Sequence, residues 1–209
     1  DAAYSLDVNG MCTDVDASDT MAYSISGAPS TITISGTTIS GTPVNADVGT
    51  HTLPVTCTDS GLASASDDYD LTVTNTNDAP TISSSAVTAV DEDAAYSYTV
   101  TAADFDSGDT VTLTGTTVPA WMTFDATTGA LTGTPTNSEV GSHAVVITAA
   151  DVAGASVTDT FTVVVANTND APTVATALVD ATVAEDSSYS LSASAMCTDV
   201  DVGDSLTYT

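Results

Sequence analysis

Apolar and polar residues alternate along several short segments of this chain, which is the pattern of β-strands with one buried face. The clearest segments are residues 142–149 and 158–165, and shorter ones are 111–113, 118–124 and 90–98, where the strand follows an acidic turn. Turn-forming residues separate them, and no stretch has the period of a long helix. About seven strands in about 90 residues are typical of an antiparallel β-sandwich. We therefore predict an all-β chain of antiparallel β-sandwich modules.

The heptapeptide Asn-Thr-Asn-Asp-Ala-Pro-Thr occurs at residues 75–81 and again at 167–173, so the two copies are 92 residues apart. Self-similarity at a fixed spacing indicates tandem structural units. We predict that residues 1–77 form a module without its first strand, 78–169 a complete module, and 170–209 the N-terminal part of a third. Because the chain begins and ends inside a repeat, we expect it to be a piece of a longer polypeptide. Proline at the end of each linker restricts the preceding residue to extended geometry, which predicts stiff junctions.

The composition excludes several classes of function. The chain has 28 acidic residues and no Lys or Arg, yet 42% of its residues are hydrophobic, unlike a disordered acidic tail. Without basic side chains, binding to nucleic acid or to an anionic membrane is not expected. No apolar run is long enough to span a bilayer, so membrane insertion is not expected either. The charge fits either adaptation to high salt or acidic groups neutralised by divalent ions, and the recurring acidic positions favour the second.

Two of the three cysteines lie in copies of one motif, Met-Cys-Thr-Asp-Val-Asp, at residues 11–16 and 196–201. Cys12 and Cys57 each precede an aspartate by two residues. If both aspartates bound one ion, the two sulfurs would be close, so we predict a Cys12–Cys57 disulfide and an oxidising compartment. Cys197 would then pair beyond residue 209. The alternatives are two buried free thiols or a metal site, although no Cys-x-x-Cys spacing is present.

Several motifs occur in a fixed order in the middle module: Glu92-Asp93, Asp104-Phe105-Asp106, residues 124–131, Ala149-Ala150-Asp151 and residues 167–172. In this respect the whole chain resembles the bacterial cadherin-like and "putative Ig" (dystroglycan-type cadherin-like) tandem repeats of large surface adhesins. The resemblance implies Ca²⁺ at the junctions of successive modules. For the first junction it implies Asp47, Asn75, Asn77 and Asp78 with Asp104, Asp106 and Asp151. For the second it implies Glu92, Glu139, Asn167, Asn169 and Asp170 with Asp199 and Asp201. Asp14, Asp16 and Asp59 would face an upstream module.

The chemistry of these residues supports a calcium site independently, because Ca²⁺ accepts mixtures of carboxylate, carboxamide and carbonyl oxygens. Two departures from the cadherin pattern predict fewer ions and weaker binding. The linker is one residue shorter, with Asn75 or Asn167 at its leading position, and the mid-domain pair has a single carboxylate, Asp47 or Glu139. The alternative is a set of solvated acidic loops without metal.

Other candidate residues favour structural roles. His51 and His143 occupy equivalent repeat positions, so they are expected to support a strand start rather than to catalyse a reaction. Trp121 is expected in the core, with a sugar-stacking platform as the alternative. No set of side chains indicates a catalytic site.

These observations predict a non-catalytic structural segment of an extracellular or cell-surface adhesin or fibre that calcium stiffens. The expected partners are neighbouring modules of the same chain and identical chains in a filament. The alternative is a carbohydrate-binding accessory module of a secreted enzyme, although only 5% of the residues are aromatic. Enzymatic activity is the third alternative.

Overall fold

The computed structural model describes residues 2–16, 18–201 and 203–208. The chain divides into two compact units. Unit 1 is formed by Asp1–Ala79 and Asp104–Asp109, and unit 2 by Pro80–Ala103 and Thr110–Thr209.

Unit 1 contains two three-stranded antiparallel sheets. Its strands are β1 (Tyr4–Asp7), β2 (Ala22–Ile25), β3 (Ile32–Ser35), β4 (Thr38–Gly41), β5 (Gly49–Thr58) and β6 (Ser64–Val73). One sheet has the order β1-β4-β3 and the other β2-β5-β6. A 3₁₀ turn, Asn45–Asp47, leads into β5.

The core of unit 1 follows from the alternation along its strands. In β5 every second residue from Leu53 to Cys57 points inward and is buried. These side chains pack with apolar residues of the facing sheet, and the buried cluster is Val8, Ile32, Ile39, Leu53, Val55 and Leu71.

Unit 2 repeats this arrangement with additional strands. They are β7 (Thr81–Ile82), β8 (Ala89–Asp91), β9 (Tyr96–Thr99), β10 (Ala102–Ala103), β11 (Thr112–Thr117), β12 (Met122–Asp125), β13 (Ala130–Gly133), β14 (Gly141–Ala150), β15 (Ser156–Ala166), β16 (Thr173–Val174) and β17 (Cys197–Thr198). A second 3₁₀ turn, Asn137–Glu139, precedes β14.

The main sheets of unit 2 have the orders β12-β13-β9 and β11-β14-β15-β8, and the pairs β7/β10 and β16/β17 form two small sheets. Strand β14 has the same burial pattern as β5, with Val145, Ile147 and Ala149 buried. The buried cluster of unit 2 is Tyr96, Tyr98, Val100, Met122, Leu131, Val145, Ile147 and Val163.

The prediction of an all-β chain of antiparallel sandwich modules is confirmed, with local differences. Strand β8 pairs in parallel with β15, although all other pairs are antiparallel within the described residues. The segment 90–98 has a strand after its acidic turn, as predicted, where Asp93 has a positive φ of 59°, and the structure adds the short strand β8 before that turn. Strand β12 starts at Met122, because the Met122 N–H donates to the Pro119 carbonyl in a turn (2.9 Å). Strand β11 covers residues 112–117, later than the predicted 111–113.

Candidate metal centres

Four groups of three carboxylates lie in the described residues with ligand oxygens within 4.8 Å of one another. Two are in unit 1 and two in unit 2. They are Asp14–Asp19–Asp59, Asp104–Asp106–Asp109, Glu92–Asp170–Asp201 and Asp199–Asp201–Asp204. Most of their members come from the acids that the sequence analysis singled out.

The group Glu92–Asp170–Asp201 is the most buried of the four. Glu92 is 3% exposed and Asp201 is 6% exposed. The backbone N–H of Thr168 donates to Glu92 Oε1 (2.6 Å), and that of Asp170 donates to Asp201 Oδ2 (2.7 Å). The other oxygen of each buried carboxylate, Glu92 Oε2 and Asp201 Oδ1, is buried without a hydrogen-bond partner. In each of these two carboxylates, one oxygen therefore accepts a backbone hydrogen bond and the other has no hydrogen-bond donor.

An amide side chain completes this group in unit 2. Asn137 Nδ2 donates to Asp170 Oδ2 (2.6 Å), and Asn137 Oδ1 is buried without a hydrogen-bond partner. The 3₁₀ turn before β14 positions this side chain. Asn137 is not among the ligands predicted from the sequence.

Unit 1 has a corresponding arrangement around Asp78 and the loop 104–109. The backbone N–H of Asp78 donates to Asp106 Oδ2 (2.8 Å), and Asn45 Nδ2 donates to Asp78 Oδ2 (2.7 Å). Asp106 is buried, and Asp104 Oδ2 is a buried oxygen without a hydrogen-bond partner. Asn45 precedes Asn137 by 92 residues, so both linker aspartates accept from an equivalent asparagine amide and donate their own N–H to an equivalent loop carboxylate.

The aspartates of the loop that carries the Asp-x-Asp pair make the same hydrogen bonds in its three copies. In each copy the second aspartate donates its N–H to the first aspartate's carboxylate, at 2.8 Å for Asp16 and Asp106 and 3.0 Å for Asp201. The N–H of a third aspartate three residues later then donates to the second aspartate's carbonyl. The third aspartates, which the sequence analysis missed as ligands, are Asp19, Asp109 and Asp204. The spacing Asp-x-Asp-x-x-Asp in all three copies was the available signal.

Asp47 and Glu139 lie outside the four groups, since each caps its own 3₁₀ turn. Thr31 Oγ1 donates to Asp47 Oδ2 (2.6 Å), and Thr136 Oγ1 donates to Glu139 Oε2 (2.7 Å). The Thr31 hydroxyl, together with the Val44 N–H, lowers the pKa of Asp47, and the Thr136 hydroxyl and N–H lower the pKa of Glu139. The structure thus gives both carboxylates local partners.

The remaining predicted ligands have varied surroundings. Asn77 and Asn169 each donate from Nδ2 to the carbonyl of the following aspartate (2.9 and 2.8 Å). Asn75 and Asn167 are exposed. Asp151 is buried in unit 2, where its Oδ1 accepts the N–H groups of Gly154 and Ala155.

The structure joins Cys12 and Cys57 by a disulfide, with the two Cα atoms 6.5 Å apart. It lies next to the group Asp14–Asp19–Asp59, in which Asp59 Oδ1 accepts the Ala63 N–H (2.8 Å). Asp16 is exposed. Cys197 is a free thiol in β17.

The histidines and the tryptophan have structural contacts. The Nε2–H of His51 donates to the Asp47 carbonyl (2.7 Å), and His143 makes the same bond to the Glu139 carbonyl. Trp121 packs edge-on against Tyr96 and His143 and borders the core of unit 2.

The donors present fit a hard divalent cation. Buried carboxylates with unpartnered oxygens are unfavourable unless a positive charge compensates them. The chain has no Lys or Arg. Glu92 Oε2, Asp201 Oδ1 and Asn137 Oδ1 are all oxygen donors, the type that Ca²⁺ and Mg²⁺ bind.

The sequence profile of the family described as "Putative Ig domain" matches residues 1–74 and 79–166, which is more than half of the chain. The chain belongs to this family. Two Ig-domain matches in succession agree with the tandem repeats seen in the sequence.

The similar proteins include surface adhesins and cadherins. The chain is 31% identical, over 144 residues, to the "Serine-rich adhesin for platelets" of Staphylococcus aureus strain MRSA252, an alignment that covers 68% of this Ig-domain chain and 10% of the adhesin. The adhesin of that name from strain MSSA476 is also 31% identical, with 6% of its length covered. The chain thus spans a small part of these relatives.

Among solved structures, the protocadherin gamma B4 extracellular domain matches with a TM-score of 0.52 and 22% identity, covering 77% of this chain and 30% of that one. Protocadherin gamma B2 cadherin domains 1–5 match with a TM-score of 0.51 and 20% identity, covering 97% and 40%. These similarities show that the Ig-domain chain has a cadherin-like fold. Within the described residues, no helix combines the length and apolar character needed to cross a membrane.

Proposed function

We propose that the chain is a non-catalytic structural segment of an extracellular or cell-surface adhesin-like protein, in which Ca²⁺ held by acidic side chains joins successive repeats. The repeats in this proposal are residues 1–77, 78–169 and 170–209. The observation that carries it is the group Glu92–Asp170–Asp201, whose carboxylates come from distant parts of the sequence. The naming of the staphylococcal relatives as adhesins supports the same role.

The energetic argument for a cation concerns the repulsion within this group. Two unit charges at the 4.8 Å limit of the group repel by about 3 kcal/mol at an effective dielectric constant of about 20. Burial of Glu92 and Asp201 adds a desolvation cost, and no basic side chain offsets either term. A bound divalent cation would turn this unfavourable arrangement into a stabilising one.

Calcium fits the donor set better than magnesium. The available oxygens belong to carboxylates and to an amide, and they are placed irregularly by a linker, a loop and two turns. Ca²⁺ accepts six to eight such oxygens in flexible geometry, whereas Mg²⁺ requires a near-ideal octahedron and retains water.

The mechanical consequence follows from where the ligands lie in the sequence. Glu92 belongs to the second repeat, whereas Asp170, in the linker motif that opens the third repeat, and Asp201 belong to the third. An ion held by all three would restrict motion of one repeat against the next and reduce the mutual repulsion of acidic modules. Repeats joined in this way would form a stiff rod suited to a surface fibre or to a filament of identical chains.

Calcium titration of the intact chain tests the binding part of this proposal. We expect the melting temperature to rise in millimolar Ca²⁺, since a ligand at 100 times its Kd stabilises by about 2.7 kcal/mol. Glu92→Gln combined with Asp201→Asn should weaken calcium binding at least about tenfold, which corresponds to about 1.4 kcal/mol. The control is Asp91→Asn combined with Asp93→Asn, which removes the same two charges from exposed neighbours of Glu92. An equal calcium response in the double variant would contradict the assignment.

Small-angle scattering tests the mechanical part separately. We expect the maximum dimension of the chain to shorten and its conformational spread to increase when a chelator removes Ca²⁺. Unchanged dimensions, with calcium binding still detected by calorimetry, would contradict stiffening while leaving the ion site in place.

A further inference from the structure

The 3₁₀ turn Asn137–Glu139 is too short to hold its shape through its backbone alone. The Glu139 N–H donates to the Thr136 carbonyl at 2.9 Å, but the Val140 N–H donates to the Asn137 carbonyl at 3.4 Å, which is a long bond. A single turn has little stability of its own, because few hydrogen bonds offset the cost of ordering its residues. The direction of the Asn137 side chain therefore depends on what else fixes the turn.

The Glu139 carboxylate closes this turn on itself. Its Oε2 accepts the N–H and the hydroxyl of Thr136 (2.9 and 2.7 Å), and its Oε1 accepts the Ser138 hydroxyl (2.9 Å). Both oxygens thus have donors, in contrast to Glu92 and Asp201, which each have a buried oxygen without a partner. A carboxylate with these local partners fits a capping role better than the role of an ion ligand.

His143 ties the turn to the β-sheet. It lies in β14, where it is paired with Val163, and its ring packs edge-on against Trp121, with the ring centroids 5.7 Å apart. Its Nε2–H donates to the Glu139 carbonyl at the end of the turn. The sheet and Trp121 therefore fix the ring, and the ring holds the end of the turn against β14.

The turn held in this way presents the Asn137 amide to the candidate cation site of unit 2. Asn137 Nδ2 donates to Asp170 Oδ2 (2.6 Å), and Asn137 Oδ1 is buried without a hydrogen-bond partner. An ionised carboxylate only accepts hydrogen bonds, so the amide must face Asp170 with its nitrogen. Its oxygen is then available to a cation that binds oxygen ligands.

The first repeat contains the same arrangement 92 residues earlier. Asn45 Nδ2 donates to Asp78 Oδ2 (2.7 Å), and the His51 Nε2–H donates to the Asp47 carbonyl (2.7 Å). The Asp47 carboxylate caps the turn by accepting the Val44 N–H at 3.0 Å. Although this acid is one methylene shorter than that of the second repeat, its capping bond has nearly the same length. The chain has only two histidines, and both donate to a turn of this kind.

We infer that Glu139 and His143 are positioning residues for the cation site of unit 2, since they fix the turn that directs Asn137 and neither binds the ion. The inference rests on the proposed calcium at that site, and it replaces the ligand role that the cadherin resemblance implies for Glu139. Groups that orient the ligands of a metal site typically change its affinity about 10- to 100-fold when they are removed. The equivalent residues of the first repeat have the same role toward Asn45.

NMR spectra of the isotope-labelled intact chain in a chelator test the positioning without any bound ion. We expect the two Asn137 amide protons of the wild type to have distinct chemical shifts and slow exchange with solvent. His143→Phe keeps an aromatic ring beside Trp121 and removes the Nε2–H, so both signs of order should be lost. The matched control His51→Phe should disturb the amide of Asn45 and leave that of Asn137 unchanged. A merely structural role of His143 would lower the melting temperature without changing the Asn137 amide.

Calcium titration by calorimetry separates positioning from direct binding. His143→Phe and Glu139→Ala should each weaken binding about tenfold. Glu139→Gln keeps an oxygen that can accept the Thr136 N–H, so its affinity should stay within about threefold of that of Asp91→Asn. Asp91→Asn is the matched control, because it removes the same charge from an exposed residue.

Two results would overturn the inference. One is an Asn137 amide that stays ordered in Glu139→Ala, a half-buried position that keeps the test decisive even if His143→Phe does not fold. The other is a loss of affinity in Glu139→Gln as large as that in Glu92→Gln, which would make Glu139 a ligand. Failure of the proposed function looks different, because the wild type would then show an ordered Asn137 amide and no calcium binding. That result would overturn the role toward an ion together with the proposed function.

Discussion

At the scale of single residues, amide and backbone N–H groups take the place of the missing basic side chains. Asn45 and Asn137 each donate to a linker aspartate, and the N–H of that aspartate donates to a loop carboxylate. An amide offers a donor without a positive charge, so it orients a carboxylate and leaves its charge uncompensated. The acidic groups are thereby held in place with their negative charge intact.

The hydroxyl of Thr31 lowers the pKa of Asp47 below its ordinary value of 3.8. A lowered pKa means that the ionised carboxylate stabilises the fold above the ordinary pKa, and this contribution disappears as pH falls through the lowered value. Thr31→Val should therefore reduce the melting temperature near pH 6, and the difference from wild type should shrink below about pH 4.

Thr50→Val is the control for this pH series. Thr50 Oγ1 hydrogen-bonds to Thr72 Oγ1 (3.2 Å), a pair without a carboxylate. Its effect on the melting temperature should be the same at every pH. A pH-independent effect of Thr31→Val would contradict the role assigned to Asp47.

The sequence predicted part of each acidic group. The Asp-x-Asp pairs and the linker aspartates were identifiable because they recur at fixed spacing, and the structure brings Asp170 and Asp201 together. The role of Asn137 was not identifiable, because it depends on the direction in which a 3₁₀ turn points the amide. The capping role of Glu139 was not identifiable for the same reason. The resemblance to cadherins suggested a metal ligand at this position, and in the structure the Glu139 carboxylate accepts the Thr136 N–H of the same turn.

At the scale of elements, close packing of hairpins depends on two equivalent glycines. A Cβ at Gly41 would overlap the Thr31 carbonyl oxygen, and one at Gly133 would overlap the Trp121 carbonyl oxygen. Gly41→Ala should lower the free energy of unfolding of unit 1 by about 2–3 kcal/mol, since the backbone must move. Chemical denaturation followed by tyrosine fluorescence measures this change.

Gly61→Ala is the matched control in the same unit. Its added Cβ would have the Asp59 carboxylate oxygen as its nearest neighbour, at 3.3 Å. We expect a change within about 0.5 kcal/mol. Equal effects of the two substitutions would show that the β3–β4 hairpin tolerates a larger separation.

The disulfide of unit 1 spans a sequence separation of 45 residues. Closing a loop of this length restricts the unfolded chain and stabilises by about 4 kcal/mol in the chain-entropy model. Reduction should therefore lower the melting temperature of unit 1 and leave that of unit 2 unchanged, as followed by calorimetry with and without a thiol reductant.

Unit 2 provides the internal control for reduction, because Ala102 and Ala149 stand where the first repeat has cysteines. The variant Cys12→Ala/Cys57→Ala gives unit 1 the same residues and should melt as the reduced wild type does. A melting transition of unit 1 that stays at the same temperature with and without the reductant would contradict the prediction.

The alternating pattern predicted long strands better than short ones. The apolar residues of β14 and β15 alternate over many positions, so the presence of these two strands and the face that each one buries were evident from the sequence. The parallel pairing of β8 was not predictable from its three residues, because a short strand has no pattern that specifies its partner. The boundaries of β11 shifted because Gly115 lies within it, at an irregularity in its pairing with β14.

At the scale of the whole molecule, the formal charge of −28 predicts a marked dependence on salt. The screening length falls from about 30 Å at 0.01 M to about 3 Å at 1 M salt. With a chelator present, raising NaCl across this range should raise the melting temperature. With millimolar CaCl₂ the same change in NaCl should have a smaller effect, because bound cations already offset part of the repulsion.

Measuring the melting temperature in CaCl₂ at constant ionic strength separates calcium binding from general salt screening. MgCl₂ at the same concentration is the control for screening. A melting temperature that falls as NaCl rises in the chelated protein would contradict the electrostatic argument.

The dependence of stability on salt can be predicted from the sequence, since charge and hydrophobic content can be counted directly. The burial of Glu92 and Asp201 required the fold, because exposure is not a property of composition.

The Cys12–Cys57 bond has a consequence for a protein under tension. When a chain is pulled from its ends, a covalent loop cannot lengthen, so the residues between Cys12 and Cys57 stay out of the extended contour. At about 3.4 Å per residue, this separation of 45 residues amounts to about 150 Å of hidden length. Force spectroscopy should find a shorter extension step for the first repeat than for the second, and the missing length should appear once a reductant opens the bond.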